Sequence, residues 1–304
     1  MKSARRVVLV GAGRAGLGLA IALRRAGVPV AGVVTRRKAL PRAHRRLLPA
    51  GAILHDMHEA AARGDIMVLC VPDEAIAACA RRLLTVPMRG KVVLHTSGAH
   101  GASVLAPLRR RGAAVGSMHP LTVFPPPGRA LPDLRGALFV LDGDPGALRA
   151  AGSLARALGG RTLRLSEKRR AAYHLAAALA ANGLVALIDA AVTVAAQRAG
   201  IPPRLSCSAL VRLARAALAA LDHDPPHRAL TGPVARGDEA TLRRHLEVLR
   251  AAEPGTREIY SALSCRAVTL ARGDGRLNAR QAAALRALLG CSKRRAAPRR
   301  VRSV

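Results

Sequence analysis

Short apolar runs alternate with amphipathic segments through the first half of the chain. An apolar run of roughly four to eight residues, bounded by turn residues, is typical of a strand covered on both faces of a sheet. Segments such as residues 73–84 and 103–111 have a helical pattern instead. The predicted strands are residues 7–10, 30–34, 65–72, 91–98, 113–120, 138–141 and 161–165. Strands that alternate with helices predict an α/β fold with a parallel, doubly wound sheet.

From residue 166 onward the pattern changes, because every predicted element is a helix. The predicted helices are residues 172–199, 205–221, 239–252, 256–272 and 279–289. The end of the chain is rich in basic residues and has no apolar period, which is typical of a disordered tail. We therefore expect an α/β domain at residues 1–166, an all-α domain at residues 167–290, and a disordered basic tail at residues 291–304.

The longest predicted helix is apolar on every side, and residues 175–194 are nearly free of charge. A helix of this length could cross a membrane. Its alanine-rich composition and the polar residues Asn182 and Asp189 argue against insertion, so we expect no membrane contact. A helix without a polar face is buried instead, here by neighbouring helices or by a second subunit. We therefore expect a homodimer that forms through the helical domain.

Three glycines lie between the first strand and the helix that follows it, in the stretch VGAGRAG. In such a G-x-G-x-x-G turn, the first glycine permits the tight turn, the second the close approach of a pyrophosphate, and the third helix packing. The helix N-terminus offers free N–H groups to the phosphates. A plain glycine turn is the alternative. We expect a Rossmann domain whose cofactor contacts include Gly11, Ala12, Gly13, Arg14, Ala15 and Gly16.

The end of the second strand indicates which dinucleotide binds. An NAD enzyme usually places a carboxylate there, which hydrogen-bonds the ribose diol. No Asp or Glu occurs between Gly16 and Asp56, and Thr35, Arg36 and Arg37 occupy the expected position. A guanidinium binds a 2′-phosphate through two hydrogen bonds, so the sequence favours NADP(H) over NAD(H).

Residues that directly follow the other predicted strands would surround the reacting end of the cofactor. Hydride transfer to a carbonyl or an imine needs a proton at the same time, and histidine titrates near neutral pH. His119 and His95 are therefore the acid–base candidates, and a hydrogen bond to loop backbone is the alternative for each. The remaining cofactor contacts that we expect after these strands are Val71, Pro72, His95 and Thr96.

Polar residues also interrupt the apolar helix, namely Tyr173, His174, Asn182 and Asp189. At 3.6 residues per turn, Asn182 and Asp189 fall on one face. That face could close over the cofactor and offer the Asn182 amide to a substrate oxygen. An amide that bonds a neighbouring helix or a dimer partner is the alternative.

The charge balance of the chain invites a nucleic-acid interpretation, because 50 Lys and Arg residues against 18 Asp and Glu give a net charge of +32. The basic residues are nearly all arginine and are spread along the chain. Only two Phe, two Tyr and no Trp are present, so bases would find almost no aromatic rings to stack on. We therefore expect no specific nucleic-acid partner.

The five cysteines are odd in number and form no C-x-x-C pair. This pattern is typical of reduced, mostly buried thiols in a cytoplasmic protein. It predicts neither a disulfide framework nor a metal site.

Five stretches, taken in order, carry a family resemblance: VGAGRAG, VLCVPDEAI, HTSGAHGASVLAPLRRRGAAVGSMHPLTVF, YHLAAALAANGLVAL and LTGPVARGD. They resemble the uncharacterised bacterial proteins that join a Rossmann-like domain to the C-terminal domain of unknown function 2520. That architecture is similar to the 6-phosphogluconate dehydrogenase superfamily, which includes ketopantoate and pyrroline-5-carboxylate reductases. The resemblance implies an NADP-binding oxidoreductase and leaves its substrate open.

A local resemblance concerns SMHPLTVF, which is similar to the His-Pro loop of prephenate dehydrogenases. There the histidine contacts the reacting hydroxyl, so the resemblance implies catalytic roles for His119 and for Ser97 in the preceding loop. The lysine that β-hydroxyacid dehydrogenases use one helical turn before their asparagine is absent, because Ala178 stands four residues before Asn182. This departure shifts the expected proton transfer to His119.

Together, these features predict an NADP(H)-dependent dehydrogenase or reductase that acts on a small carbonyl, hydroxy-acid or imine compound. The expected catalytic residues are His119, Asn182 and Ser97. A non-catalytic dinucleotide-binding or regulatory protein with the same fold is the alternative.

Overall fold

The computed structural model describes residues 5–37, 40, 45–126, 133–253 and 255–291. The predicted basic tail lies, from residue 292 onward, outside the described residues. The chain divides into two compact units, Met1–Ala181 and Asn182–Val304. Each unit is described by itself below.

The first unit contains an eight-stranded sheet with the strand order β3-β2-β1-β4-β5-β6-β7-β8. Its strands are β1 (Val7–Val10), β2 (Val30–Val34), β3 (Ile53–Leu54), β4 (Ile66–Leu69), β5 (Val92–His95), β6 (Ala114–Pro120), β7 (Leu138–Gly143) and β8 (Arg161–Arg164). The chain order reverses between β1 and β4, and such a reversal leaves a crevice at the carboxyl ends of the strands. The predicted doubly wound α/β fold is confirmed.

Helices cover both faces of this sheet. They are α1 (Arg14–Arg25), α2 (Met57–Arg63), α3 (Asp73–Arg82), α4 (Ala106–Arg110), α5 (Pro145–Ala157) and α6 (Glu167–Ala178). One buried apolar cluster joins one face of the sheet to α1 and α5. A second cluster joins the opposite face to α2, α3 and α4. Because both faces are covered, the central strands are apolar throughout, as in Val7–Val10 and Ile66–Leu69.

One strand pairing departs from the predicted parallel sheet. β7 pairs with β6 in the antiparallel direction, with Gly116 opposite Gly143 and Pro120 opposite Phe139. The other pairings are parallel. Strand direction depends on how the connection between two strands returns, which an apolar run by itself does not encode. The two-residue strand β3 is also an addition to the predicted set.

The second unit is helical throughout its described residues. Its helices are α7 (Leu184–Ala199), α8 (Pro203–Ala219), α9 (Pro226–Ala229), α10 (Pro233–Arg236), α11 (Glu239–Leu249), α12 (Thr256–Gly273) and α13 (Ala279–Leu288). Its buried core contains residues from four helices, α10, α11, α12 and α13, among them Val234, Leu242, Val268 and Leu285. An Asn278–Gln281 capping box starts α13, which satisfies free N–H groups of its first turn.

The long apolar helix is exposed rather than buried within the chain. Helical residues run from Glu167 to Ala199, a length of 33 residues with a mean hydropathy of 2.0, and none of the apolar stretch is buried. Leu179 is 67% exposed and Val185 is 71% exposed. Length and composition alone would suit a membrane span. The expected cover was neighbouring helices or a second subunit; the described helices of this chain leave the apolar stretch exposed, and cover by a second subunit stays a prediction.

The cysteine prediction also needs a correction, because Cys265 and Cys291 form a disulfide. Cys265 lies in α12 and Cys291 follows α13, and the packing of these helices brings the two Cα atoms to 5.8 Å, a distance that a disulfide spans. Cys70 is a buried free thiol, Cys79 is partly buried, and Cys207 is exposed. The thiol argument for a cytoplasmic protein therefore does not hold, and the location stays a prediction.

Candidate functional site

In the glycine turn between β1 and α1, two of the three glycine positions are closed to a side chain by neighbouring atoms, and one position is open. A Cβ on Gly11 would lie 2.4 Å from the Cys70 carbonyl oxygen, and the backbone there has a φ of +108°. A Cβ on Gly16 would lie 1.8 Å from the Gly11 carbonyl oxygen. A Cβ on Gly13 would meet no atom of the described residues within 4 Å. Packing within the chain therefore requires Gly11 and Gly16, whereas Gly13 faces open space.

The N-terminus of α1 is open in the same place. Gly13 is the N-cap residue and supplies no side-chain cap, and the first intrahelical bond runs from the Leu17 N–H to the Gly13 carbonyl at 3.0 Å. Gly13 and Arg14 are exposed, while Ala12 is buried and Ala15 is partly buried. The first-turn N–H groups and the helix dipole therefore form a small electropositive site that suits a phosphate.

The turn after β2 presents two arginines on an ordered backbone. The buried Thr35 hydroxyl oxygen accepts a hydrogen bond from the Arg37 N–H at 3.1 Å. The His55 ring bonds the Thr35 carbonyl oxygen at 2.9 Å through Nδ1. Arg36 and Arg37 are exposed. No local sequence pattern marks His55, because its contact with Thr35 depends on the pairing of β2 with β3.

Val71 and Pro72 connect β4 to α3, and Pro72 is the N-cap residue of that helix. The Thr96 N–H donates to the Leu69 carbonyl at 3.1 Å, which joins the ends of β4 and β5. These backbone segments lie at the carboxyl edge of the sheet, where the sequence predicted cofactor contacts.

His95 is a fully buried anchor at the end of β5. Its Nε2 bonds the Gly101 carbonyl at 2.9 Å, and its Nδ1 accepts from the Ser97 N–H at 3.2 Å. Burial lowers the pKa of His95 to about 4, so the ring is neutral at pH 7. Both ring nitrogens already bond the loop, so the His95 side chain acts as a loop anchor.

Ser97 orders the loop that follows. Its hydroxyl oxygen accepts hydrogen bonds from the Ala99 N–H at 3.2 Å and the His100 N–H at 3.1 Å. Its carbonyl accepts from Arg170 Nη1 at 3.2 Å. The Ser97 side chain therefore acts as a turn-forming group, and its carbonyl joins the loop to Arg170.

His119 pairs with a residue of α6 at the end of β6. Its Nδ1 lies 2.6 Å from the Tyr173 hydroxyl, and the two rings meet edge to face at 85° with centroids 5.5 Å apart. Burial lowers the pKa of His119 to about 4, and the charges of Arg170 and His174 add to this effect. The ring is therefore neutral at pH 7, like that of His95.

Arg170 is a site residue that the sequence analysis missed. It is fully buried, its Nη1 donates to the Ser97 carbonyl, and its Nη2 donates to the Ser117 hydroxyl. Its Nε has no hydrogen-bond partner among the described residues. The arginine-rich composition hides this residue, because neighbours such as Arg169 look identical in the sequence.

Gly98 lets two histidine rings approach the loop after β5. A Cβ on Gly98 would lie 2.9 Å from His119 Nε2 and 2.9 Å from His174 Cδ2. The cluster around Gly98 therefore contains His119, Tyr173, His174 and Arg170, all within the first unit. Among the described residues, no group of His, Cys, Asp and Glu side chains is arranged to hold a metal ion.

Asn182 lies in a π-helical segment, Leu179–Gly183, and is exposed. It is the first residue of the second unit, so the cluster in the first unit is described without it. Asp189 lies on α7 and is exposed as well. The proposed role of Asn182 stays a prediction.

The second unit has an open apolar groove of about 580 Å³. Leu187 and Val194 of α7 form one wall, and Ile259 and Leu263 of α12 form part of the other. A second His–Tyr pair lies at this groove, with His245 Nδ1 at 2.9 Å from the Tyr260 hydroxyl. Of the described residues that line the groove, His245 is the one with an acidic or basic side chain.

Two family models match the chain. A model for a Rossmann-like domain matches residues 1–120, and the model for a domain of unknown function, DUF2520, matches residues 137–267. The chain joins a Rossmann-like domain to a DUF2520 domain. The second match begins at the start of β7, so it includes the last two strands of the sheet. No curated protein matches the chain.

Solved structures share this fold over most of the chain. BF3122 from Bacteroides fragilis, a candidate NADP oxidoreductase, has a TM-score of 0.70 and 22% identity, covering 86% of this chain and 97% of its own. TM1727 from Thermotoga maritima has a TM-score of 0.67 and 21% identity, and the match covers 88% of this chain and 99% of TM1727. A reductive aminase from Aspergillus terreus, in complex with NADPH and ethyl-5-oxohexanoate, has a TM-score of 0.55 and 17% identity, covering 95% and 93%.

Proposed function

We propose that this protein is an NADP(H)-dependent oxidoreductase that acts on a small carbonyl, hydroxy-acid or imine compound. The observation that carries the proposal is the glycine turn, in which packing closes Gly11 and Gly16 and leaves Gly13 open at a helix N-terminus. A turn that served only to join strand to helix would gain no more than a modest N-cap preference from a glycine at the open position. A pyrophosphate that lies against the backbone needs one there.

The remaining contacts follow from the order of the strands. Arg36 and Arg37 would bind the 2′-phosphate, since the exposed turn after β2 carries no carboxylate to bind a ribose diol. The segments Val71–Pro72 and His95–Thr96 would border the nicotinamide end of the cofactor with their backbones. When bound, NADPH would supply the hydride.

His119 would exchange a proton with the substrate. Its Nδ1 is engaged with Tyr173, and the buried side-chain atoms without a partner in the described residues are Arg170 Nε and Arg286 Nε. His119 Nε2 makes no hydrogen bond among the described residues, and it is the atom that would face the substrate oxygen or nitrogen. Ser97 would hold the adjoining loop, and Asn182 would position the substrate.

The names of the structural relatives support the same class of reaction. BF3122 is described as a candidate NADP oxidoreductase, and the reductive aminase was solved with NADPH and a keto ester. At these identities the relatives support the cofactor class and do not select one substrate for this chain.

The test is a calorimetric titration with NADPH and NADH, followed by NADPH oxidation with a panel of 2-oxo acids and cyclic imines. We expect tighter binding of NADPH and turnover of at least one compound. Absence of NADPH binding would refute the proposal. Tight binding without turnover across the panel would favour a non-catalytic dinucleotide-binding protein.

We also propose that a second copy of the chain covers the apolar helices of the second unit. Leu205 and Leu213 on α8 are 61% and 65% exposed, next to the exposed α7. An apolar helix pair and an apolar groove occur on the same unit, so two copies can satisfy both surfaces through a two-fold interface. Exposed apolar surface of this extent usually marks a partner.

A further inference from the structure

The hydrogen bond between Tyr173 and His119 joins two elements that are far apart in the chain. Tyr173 lies on α6, His119 lies at the end of β6, and the Tyr173 hydroxyl is 2.6 Å from His119 Nδ1. Among the described residues, the Tyr173 hydroxyl makes no hydrogen bond other than this one. A phenol has one proton to donate, so Nδ1 is the protein atom available to accept it.

A buried cation, Arg170, adds to the effect of burial on this pair. Its guanidinium is fully buried one helical turn before Tyr173, and an arginine stays charged in proteins. A fixed cation next to His119 disfavours a second cation on the imidazole ring. Burial raises the pKa of Tyr173 above its ordinary value, and the Arg170 cation offsets part of this rise because it favours negative charge on the phenol oxygen.

Some of the other charged groups around His119 lower its pKa and others raise it. His174 on α6 and His95 on β5 oppose protonation of the ring, and Asp73 at the start of α3 favours it. Burial is the largest of these influences and also favours the neutral ring. Neutral imidazole carries one N–H, and the position of that hydrogen depends on the partner of the other nitrogen.

We propose that Tyr173 holds neutral His119 in the tautomer that carries its hydrogen on Nε2, and that Tyr173 replaces this proton when His119 gives it to the substrate. Arg170 is a positioning residue in this arrangement, because it keeps the ring uncharged and stabilises the tyrosine oxygen. The transfer of the proton to a substrate rests on the proposed function, whereas the tautomer of His119 rests on the His119–Tyr173 geometry alone.

The proton transfers balance as follows in the direction of reduction. The substrate carbon takes the hydride, and the substrate oxygen or nitrogen takes the proton from His119 Nε2. His119 Nδ1 takes the proton of the Tyr173 hydroxyl, which leaves a neutral ring with the hydrogen on Nδ1 and a phenolate beside Arg170. Nδ1 then returns its proton to the phenolate while solvent protonates Nε2, which restores the neutral phenol and the Nε2–H form. No step requires an imidazolium ion.

The direct test is a ¹H–¹⁵N correlation spectrum of the imidazole rings across a pH titration, on the full chain without cofactor. His119 signals are assigned by their loss in His119→Gln. We expect one tautomer in the wild type, with hydrogen on Nε2, and a mixture of tautomers in Tyr173→Phe. Tyr260→Phe removes the corresponding hydroxyl from the second His–Tyr pair and should leave the His119 signals unchanged.

The role of Arg170 is tested in the same spectra. In Arg170→Met the midpoint of His119 should move from about 4 towards the ordinary value of 6.5, and Arg170→Lys should keep it low. Thermal melts establish that each variant is folded. If Arg170→Met does not fold, the Tyr173→Phe spectrum still decides the proposal. One unchanged tautomer and an unchanged midpoint in Tyr173→Phe would overturn it.

Once a substrate is known, kinetics provide a second readout. Tyr173→Phe should lower kcat by about 10-fold or more with KM and the NADPH Kd unchanged, because the tyrosine acts through His119 and not on binding. Unchanged kcat would overturn the inference. Failure of the wild type to bind NADPH would instead refute the proposed function, and the tautomer measurement would remain valid.

Discussion

Replacing Gly13 by alanine should separate cofactor binding from folding. The backbone at Gly13 has φ −78° and ψ −170°, which alanine adopts without strain, and in the part of the chain that the structure describes the added Cβ meets no atom within 4 Å. Alanine is a slightly poorer N-cap than glycine, but it also restricts the unfolded chain. These effects oppose each other, so the free energy of unfolding should change by less than about 1 kcal/mol.

Binding should respond much more strongly. The methyl group would stand where a phosphate approaches the first-turn N–H groups of α1. Loss of one hydrogen bond to a charged group costs about 1.5–3 kcal/mol, which corresponds to a Kd increase of roughly 10- to 150-fold.

Gly16→Ala is the matched control, because its Cβ would lie 1.8 Å from the Gly11 carbonyl oxygen. Backbone must move to admit it, at a cost of about 1–3 kcal/mol or more. The assays are thermal melts and calorimetric titration with NADPH. If Gly13→Ala binds NADPH as the wild type does, or if Gly16→Ala is as stable as the wild type, the interpretation of this turn is wrong.

Four further predictions follow from other parts of the molecule. Arg36→Ala combined with Arg37→Ala should weaken NADPH binding by about 1.5–3 kcal/mol and leave NADH binding unchanged; equal losses in calorimetry would contradict this. Cys265→Ser should lower stability by about 3.5 kcal/mol in oxidising buffer, because the disulfide closes a loop with a sequence separation of 26, and should have little effect under reducing conditions; denaturant melts in both buffers measure the difference. The pKa of the buried His95 is lowered from 6.5 to about 4, so between these pH values the unfolded chain binds a proton at His95 that the folded chain does not. The free energy of unfolding should therefore fall as the pH drops from 6.5 to 4. In urea melts, His95→Asn should flatten this pH dependence, and an unchanged slope would rule out the assignment. Light scattering should give about twice the chain mass of 31.7 kDa for the wild type, and Leu213→Arg should give a monomer. A wild type that is monomeric, or that needs detergent to stay in solution, would refute the proposal that a second copy covers the apolar helices.

Much of the fold could be predicted from the sequence because its signals are local. The apolar runs of β1 and β4 and the glycine spacing from Gly11 to Gly16 depend on residues within one turn or strand of each other. The absence of a carboxylate after β2 is equally visible. Backbone conformation and side-chain periodicity fix such features before any long-range contact forms.

The His119 cluster was predicted only in part. The end of β6 indicated His119, because ligands bind at the carboxyl edge of a parallel sheet. Nothing in the sequence distinguished the buried Arg170 from the many exposed arginines, and its burial depends on contacts with Ser97 and Ser117. The partnership of Tyr173 with His119 joins residues 54 positions apart.

The sequence by itself thus determined the order of the elements, the glycine turn and the basic residues after β2. The tertiary structure decided the antiparallel direction of β7, the disulfide between Cys265 and Cys291, the exposure of the apolar helix, and the neutral state of His119. The physical reason is the same in each case. Pairing direction, disulfide formation and pKa depend on which distant groups packing brings within a few ångströms, and a local pattern of apolar and polar residues does not specify those neighbours.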